Sequence, residues 1–206
     1  METRSKTQVV EQKLEQIGNI LRLIGWVGFW VELGFAVAGG LTLLFAITGR
    51  NFNQTITTTN PLPGTEADYT QSATPGLEIG IFWAGCGILI LLFNVYLAFR
   101  QTRLARRLRN ANVSKHPKKS EVMKIVRWGI TASLVGMLVT IIGGGVTLGV
   151  LLAKSIAVPQ GVAVVNPNRI IRALDIFVAM ANMNGITGNF AGLVAGLGIL
   201  NWLHKE

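Results

Sequence analysis

Four stretches of this chain, at about residues 20–47, 77–99, 125–152 and 170–202, are each apolar over a length that crosses a bilayer. A hydrocarbon core about 30 Å thick takes roughly 20 residues of helix, and inside it only helices and closed barrels satisfy their own backbone polar groups. Runs this long read as helices. With their connections they use nearly all of the 206 residues, half of which are hydrophobic and only 14% charged. No length remains for a soluble catalytic domain. The sequence predicts an all-α integral membrane protein, a four-helix bundle over residues 20–206 preceded by an amphipathic helix over residues 1–19. In that leading segment Val10, Leu14, Ile17, Leu21 and Ile24 recur at helical spacing, with Glu11, Lys13, Glu15 and Gln16 on the other face. It is expected either to lie on the headgroups before turning into the first span, or to pack against residues 100–109 through Leu104 and Leu108.

The formal net charge of +9 does not point to nucleic acid, because the basic residues sort by side of the membrane. Arg4, Lys6, Lys13 and Arg22 precede or open the first span, ten more lie between Arg100 and Arg127, and Lys205 ends the chain; only Arg50, Lys154, Arg169 and Arg172 lie in the other two connections. Fifteen against four places both termini and the middle loop on the cytoplasmic or stromal side. Such juxtamembrane clusters also attract anionic headgroups, so the bilayer is the expected partner. Trp26, Trp30 and Trp128 stand where interfacial anchors belong. The first span is too long for a signal peptide and reads as a retained helix, and the short segment before it leaves no room for a transit peptide, so the chain reads as bacterial or already processed. The single cysteine, Cys86, lies mid-span and reads as a small core residue.

The fourth span carries the most information. Asp175, Asn182 and Asn189 are spaced by sevens, which at about 100° per residue puts them on one narrow stripe. A polar stripe cannot face lipid, so this helix is expected to be buried among others. On the same helix Gly188, Gly192 and Gly196 follow at fours and permit close helix approach. The third span offers Gly143, Gly144, Gly145 and Gly149 as a matching close-packing face; a kink or an unwound turn at the triple glycine is the alternative. Glu32 stands six residues beyond Trp26, about 9 Å deeper along a helix. A charged carboxylate at such depth costs at least about 2.5 kcal/mol, so Glu32 is expected to be neutral, paired or in a wet cavity. Asn94 lies at similar depth and within its reach. The stretch from residue 51 to 75 reads as a polar loop, and residues 155–169 as an unusually apolar one.

The run ALDIFVAMANMNGITGNFAGLVAGLGIL at residues 173–200, with GWVGFW at residues 25–30 and the basic loop between the second and third spans, resembles a family of small four-helix membrane proteins of cyanobacteria and chloroplast envelopes. Its plant members have been described both as an iron permease of the chloroplast inner envelope and as a subunit of the Tic protein-import translocon there. The resemblance implies a cyanobacterial plasma or thylakoid membrane, or a chloroplast inner envelope. Where that family often carries glutamine, after the first-span aromatic pair, this chain has Glu32.

Two functions follow. In the first, Asp175, Asn182 and Asn189, with Asn184 and Thr187, then Glu32 and Asn94, line a path of hard oxygen ligands for a divalent cation such as iron or manganese, within a homo-oligomer. In the second, the glycine faces and interhelical amides belong to a scaffold or subunit of a larger membrane complex, and Asp175 caps the fourth helix or pairs with Arg172 or Arg169. Enzymatic activity is not expected: no nucleophile stands beside a base and no glycine-rich phosphate loop follows a strand. No cofactor and no nucleic-acid partner are expected.

Overall fold

A computed structural model describes the backbone of residues 2–56, 77–108, 119–157 and 171–205, and side chains over residues 16, 18–49, 78–107, 120–156 and 171–202. The described chain is wholly helical apart from Ile171 and Arg172: α1 (Glu2–Ile56), α2 (Leu77–Leu108), α3 (Lys119–Ala157) and α4 (Ala173–Lys205). All six prolines lie between these helices and none inside them, as expected for a residue that removes a backbone donor and clashes with the preceding turn. Each helix contains a segment long and apolar enough to cross a membrane: Gly18–Gly49, Glu78–Arg107, Ser120–Ile156 and Ala173–Trp202. The protein is an integral, multi-pass membrane protein.

The leading stretch runs into the first span as one helix, α1, from Glu2 to Ile56, and its Leu21 and Ile24 pack in one cluster with Leu104. The helix also continues six residues into the stretch read as a polar loop. The triple glycine does not unwind α3, which is helical without interruption from Lys119 to Ala157. Residues 57–76, 109–118 and 158–170, including most of the first and third connections and His116, lie outside the described residues.

The burial pattern shows why these helices associate. On α4 the buried positions Asp175, Val178, Asn182, Gly185, Asn189, Gly192, Gly196 and Ile199 follow at alternating intervals of three and four. That is a heptad seam, the periodicity of helices packed at shallow crossing angles. α2 does the same through Gly80, Ala84, Gly87, Leu91, Asn94 and Ala98, and α3 through Ser133, Gly136, Thr140, Gly143 and Thr147. The seams are rich in polar and small residues, whereas the outward faces carry Leu23, Leu44, Phe82, Leu89, Leu138 and Leu152, all more than half exposed. This is the distribution expected when lipid is the solvent: tails offer no hydrophobic drive between helices, so close packing and interhelical hydrogen bonds hold the seam.

The chain divides into two compact units, each taking a segment of every helix. The first comprises residues 1–35, 90–135 and 187–206, the second residues 36–89 and 136–186. The first unit has an apolar centre of Leu21, Leu104, Ala105, Val122, Ile125, Val126 and Ile199, with Ile24, Ile130 and Trp202 against it. It also carries the interfacial aromatics: Trp26 stacks on Phe29 with centroids 5.5 Å apart, Trp30 meets both edge-on, and Phe29 reaches Phe99 at 6.1 Å. In the second unit α1 meets α4 through Phe45 and Phe177 at 6.2 Å, and Gly49 lies so close to Leu174 that a Cβ there would come within 2.5 Å of it.

Candidate functional site

In the second unit the polar seam begins with an ion pair. Lys154, in the last turn of α3, places Nζ 2.6 Å from Asp175 Oδ2 in the first turn of α4. The side chains are 7% and 1% exposed, so both charges have left water. Their positions complement the helix ends, a cation at a C-terminus and an anion at an N-terminus. Asp175 Oδ2 also accepts a 3.0 Å hydrogen bond from the Arg172 backbone N–H, while the Asp175 N–H donates to Arg172 O at 3.0 Å. The carboxylate thus reaches back to the residue that opens the helix, the acidic half of a capping box. The expected cap is present; the ionic partner is Lys154, not the side chain of Arg172, and Arg169 lies outside the described residues. Lys154 belongs to α3, not to a connection.

Seven residues along each helix, Asn182 and Thr147 occupy the next level. Asn182 Nδ2 donates to Val178 O at 3.0 Å and to Gly80 O of α2 at 3.4 Å. Thr147 donates to Gly143 O at 2.8 Å, and Thr140 to Gly136 O at 2.8 Å. These polar side chains sit against glycines. A Cβ on Gly143 would strike Asn182 Oδ1, one on Gly80 would strike Thr147 Oγ1, and one on Gly87 or Gly185 would strike Thr140 Cγ2. Glycine here makes the hole into which a polar side chain from the next helix fits.

The first unit holds a second polar cluster. Asn94 Nδ2 donates to Ser133 Oγ and to Asn189 Oδ1, both at 3.1 Å, tying α2, α3 and α4 together. Glu32 of α1 is 5% exposed and lies against Gly192, where a Cβ would strike its Oε1 and come within 2.9 Å of Ser133 Oγ. Asn94 is therefore bonded to α3 and α4 rather than to Glu32. Glu32, Asn94 and Ser133 nevertheless line one cavity of about 20 Å³, room for about one water-sized occupant. Five of its fourteen lining residues are glycines, Gly25, Gly28, Gly129, Gly192 and Gly196. Glu32 Oε2 and Asn94 Oδ1 are buried without a hydrogen-bond partner among the described residues, as are Asp175 Oδ1 and Asn182 Oδ1 of the other unit.

Of the residues singled out in the sequence, the structure brings Glu32 and Asn189 into the first unit's cluster and Asp175 and Asn182 into the second's. Gly188 faces Leu91 and Phe35, Gly192 faces Glu32 and Ser133, and Gly196 faces Ile130. Gly145 and Gly149 take no part in helix packing: both are exposed, and a Cβ on either meets open space. The reason is rotational, since two residues on from the buried Gly143 is about 200° around the helix. Of the four glycines expected to form that face, Gly143 does lie in the seam, against Asn182 and Trp83. Cys86 is half-buried. Among the described residues, no three of His, Cys, Asp and Glu come together to hold a metal ion, so any cation would rest on amide, hydroxyl and backbone oxygens with a single carboxylate. Sequence reasoning missed Ser133, Thr140, Thr147 and Lys154, although they too are spaced by sevens.

Among the described residues, four membrane-crossing helices, of which α2, α3 and α4 are joined by buried amides, the Ser133 hydroxyl and the Lys154–Asp175 ion pair, define a polytopic membrane protein with a polar interior seam. Residues 11–204 match the family described as a protein of unknown function, DUF3611, and the chain belongs to that family. It is similar to the Arabidopsis thaliana protein "Protein TIC 21, chloroplastic", 28% identical over 206 residues that cover 96% of this chain and 61% of that protein. The chain thus spans about three fifths of the length of that curated relative. No solved structure matches it.

Proposed function

We propose that this chain is a membrane permease for a divalent cation of the iron or manganese class, acting in a membrane of the cyanobacterial or chloroplast kind. The observation that carries the reading is the cavity of the first unit, where two buried oxygens, Glu32 Oε2 and Asn94 Oδ1, have no donor among the described residues. An acceptor stripped of water and left unpaired costs several kcal/mol in an apolar medium. An ionisable residue at membrane depth marks, by default, a functional pathway. A cation answers both needs at once. Carboxylate, amide and hydroxyl are hard ligands suited to manganese and ferrous ions rather than to copper, and the glycine-lined wall leaves room for backbone carbonyls to join.

A second reading rests on the other unit. There the buried charges neutralise each other and Asp175 is held by both Lys154 and the α4 cap, so that half behaves as a fastening between helices. This supports a subunit of a larger membrane complex, such as one that moves proteins, with α3 and α4 as its rigid spine.

The deciding experiment is uptake of radioactive iron and manganese into liposomes holding the purified protein, alongside Glu32→Gln and Asn94→Leu. The permease reading expects saturable uptake that Glu32→Gln abolishes. Folded protein that takes up neither metal overturns it in favour of the fastening reading.

A further inference from the structure

In the first unit two open grooves lie side by side between the end of α2 and the start of α3. One, of about 350 Å³, is lined by Arg100, Arg103, Arg107, Glu121, Tyr96 and Phe99 with Leu104; the other, of about 420 Å³, adds Lys124, Trp128 and Phe93 to a shared Tyr96, Arg100 and Glu121. Both are more than ten times the size of the cavity at Glu32, so they take a molecule and not an ion. Their chemistry is graded along the helices. Phe93, Tyr96 and Trp128, all exposed, form an apolar floor, and Arg100, Arg103, Arg107 and Lys124 follow as a basic rim with Glu121 as its one acid. The three arginines stand at i, i+3 and i+7, one stripe of α2. None of the four basic groups makes an ion pair among the described residues, and Arg103 is steadied by lying 5.1 Å above the Phe99 ring.

We propose that this double groove is a binding site for an anionic, phosphate-bearing glycerolipid, with the headgroup on Arg100, Arg103 and Lys124 and one acyl chain over Tyr96, Phe93 and Trp128. A soluble anion would use the rim and leave the aromatic floor bare, and an apolar peptide would leave the cations unpaired. A lipid is the ligand that satisfies both parts, and the surrounding bilayer supplies it. The site lies on α2 and α3 alone and shares no polar residue with the cation cavity; only Leu97 lines both.

The test keeps Trp128 as the one tryptophan, with Trp26, Trp30, Trp83 and Trp202 replaced by Phe. The protein is placed in phosphatidylcholine vesicles containing increasing fractions of brominated phosphatidylglycerol or brominated phosphatidylcholine. Trp128 fluorescence is expected to be quenched at a several-fold lower mole fraction of the anionic lipid. Since each basic residue near an anionic surface is worth a factor of about five, Arg100→Gln with Lys124→Gln should remove the preference, and Arg22→Gln with Arg127→Gln, outside the groove, should leave it. Glu121→Gln should strengthen it, an effect of opposite sign that loss of folding cannot mimic. Equal quenching by the two lipids overturns the proposal. So does displacement of the preference by millimolar glycerol phosphate, which would make the ligand a soluble phosphate.

Discussion

Replacing Lys154 by Met leaves the Asp175 carboxylate buried without its counter-ion, and the cost follows from where the pair sits. An exposed ion pair is worth at most about 1 kcal/mol, but these side chains are 7% and 1% exposed, which places them in the regime where removing one partner costs about 3–5 kcal/mol. Asp175→Asn strands the ammonium of Lys154 in the same way, while its amide oxygen can still accept the Arg172 N–H that caps α4. The double substitution Lys154→Met with Asp175→Asn removes both charges and keeps the cap. It should lie closer to the wild type than either single change, with a coupling of about 2 kcal/mol or more in the double-mutant cycle. For a chain of this size 3–5 kcal/mol corresponds to roughly 6–20 °C in melting temperature. The assay is thermal melting of the purified protein in lipid nanodiscs, followed by far-UV circular dichroism. If Lys154→Met melts with the wild type, or if the double variant is as unstable as the sum of the singles, the buried pair is not what joins α3 to α4.

Gly80→Val should destabilise by about 1–3 kcal/mol, because the new side chain collides with Thr147 and Val178; Gly145→Ala, with open space around it, should be neutral or raise the melting point by up to about 1 kcal/mol through helix propensity. Asn94→Leu removes two interhelical hydrogen bonds and should cost about 1–4 kcal/mol at the usual membrane value of about 0.6–2 each, measured by denaturation in mixed micelles. Gly192→Ala pushes into Glu32 and Ser133 and should impair metal uptake in liposomes more than it lowers the melting temperature. Uptake matching the wild type would separate Glu32 from the pathway.

The fold was legible because lipid length and apolarity are strong signals, and the α4 stripe was legible because Asp and Asn in a span have no innocent explanation. The matching stripe on α3 obeys the same arithmetic and was hidden by chemistry. Thr140 and Thr147 return their hydroxyls to their own helix at Gly136 and Gly143, so threonine in a span reads as an ordinary helix residue. Lys154 was hidden by a boundary, since α3 runs to Ala157 and carries it into the membrane seam as part of the last turn. The glycines misled in another way. Their number announced close packing, but only rotation about the helix axis decides which face a glycine serves, and that put Gly143 inside and Gly145 and Gly149 outside. What the glycines receive is a side chain, polar where Gly192 receives Glu32 and Gly143 receives Asn182, apolar where Gly188 receives Leu91 and Gly196 receives Ile130; the small-residue spacing alone suggested backbone against backbone.

The most direct test of the cation site is a manganese titration of the detergent-purified protein, following the loss of the free-ion signal by electron paramagnetic resonance. The account predicts saturable binding of one manganese per chain, lost in Glu32→Gln, weakened in Asn94→Leu and kept in the Lys154→Met, Asp175→Asn double variant. Binding that persists without the Glu32 carboxylate, or that vanishes only with Asp175, would contradict it.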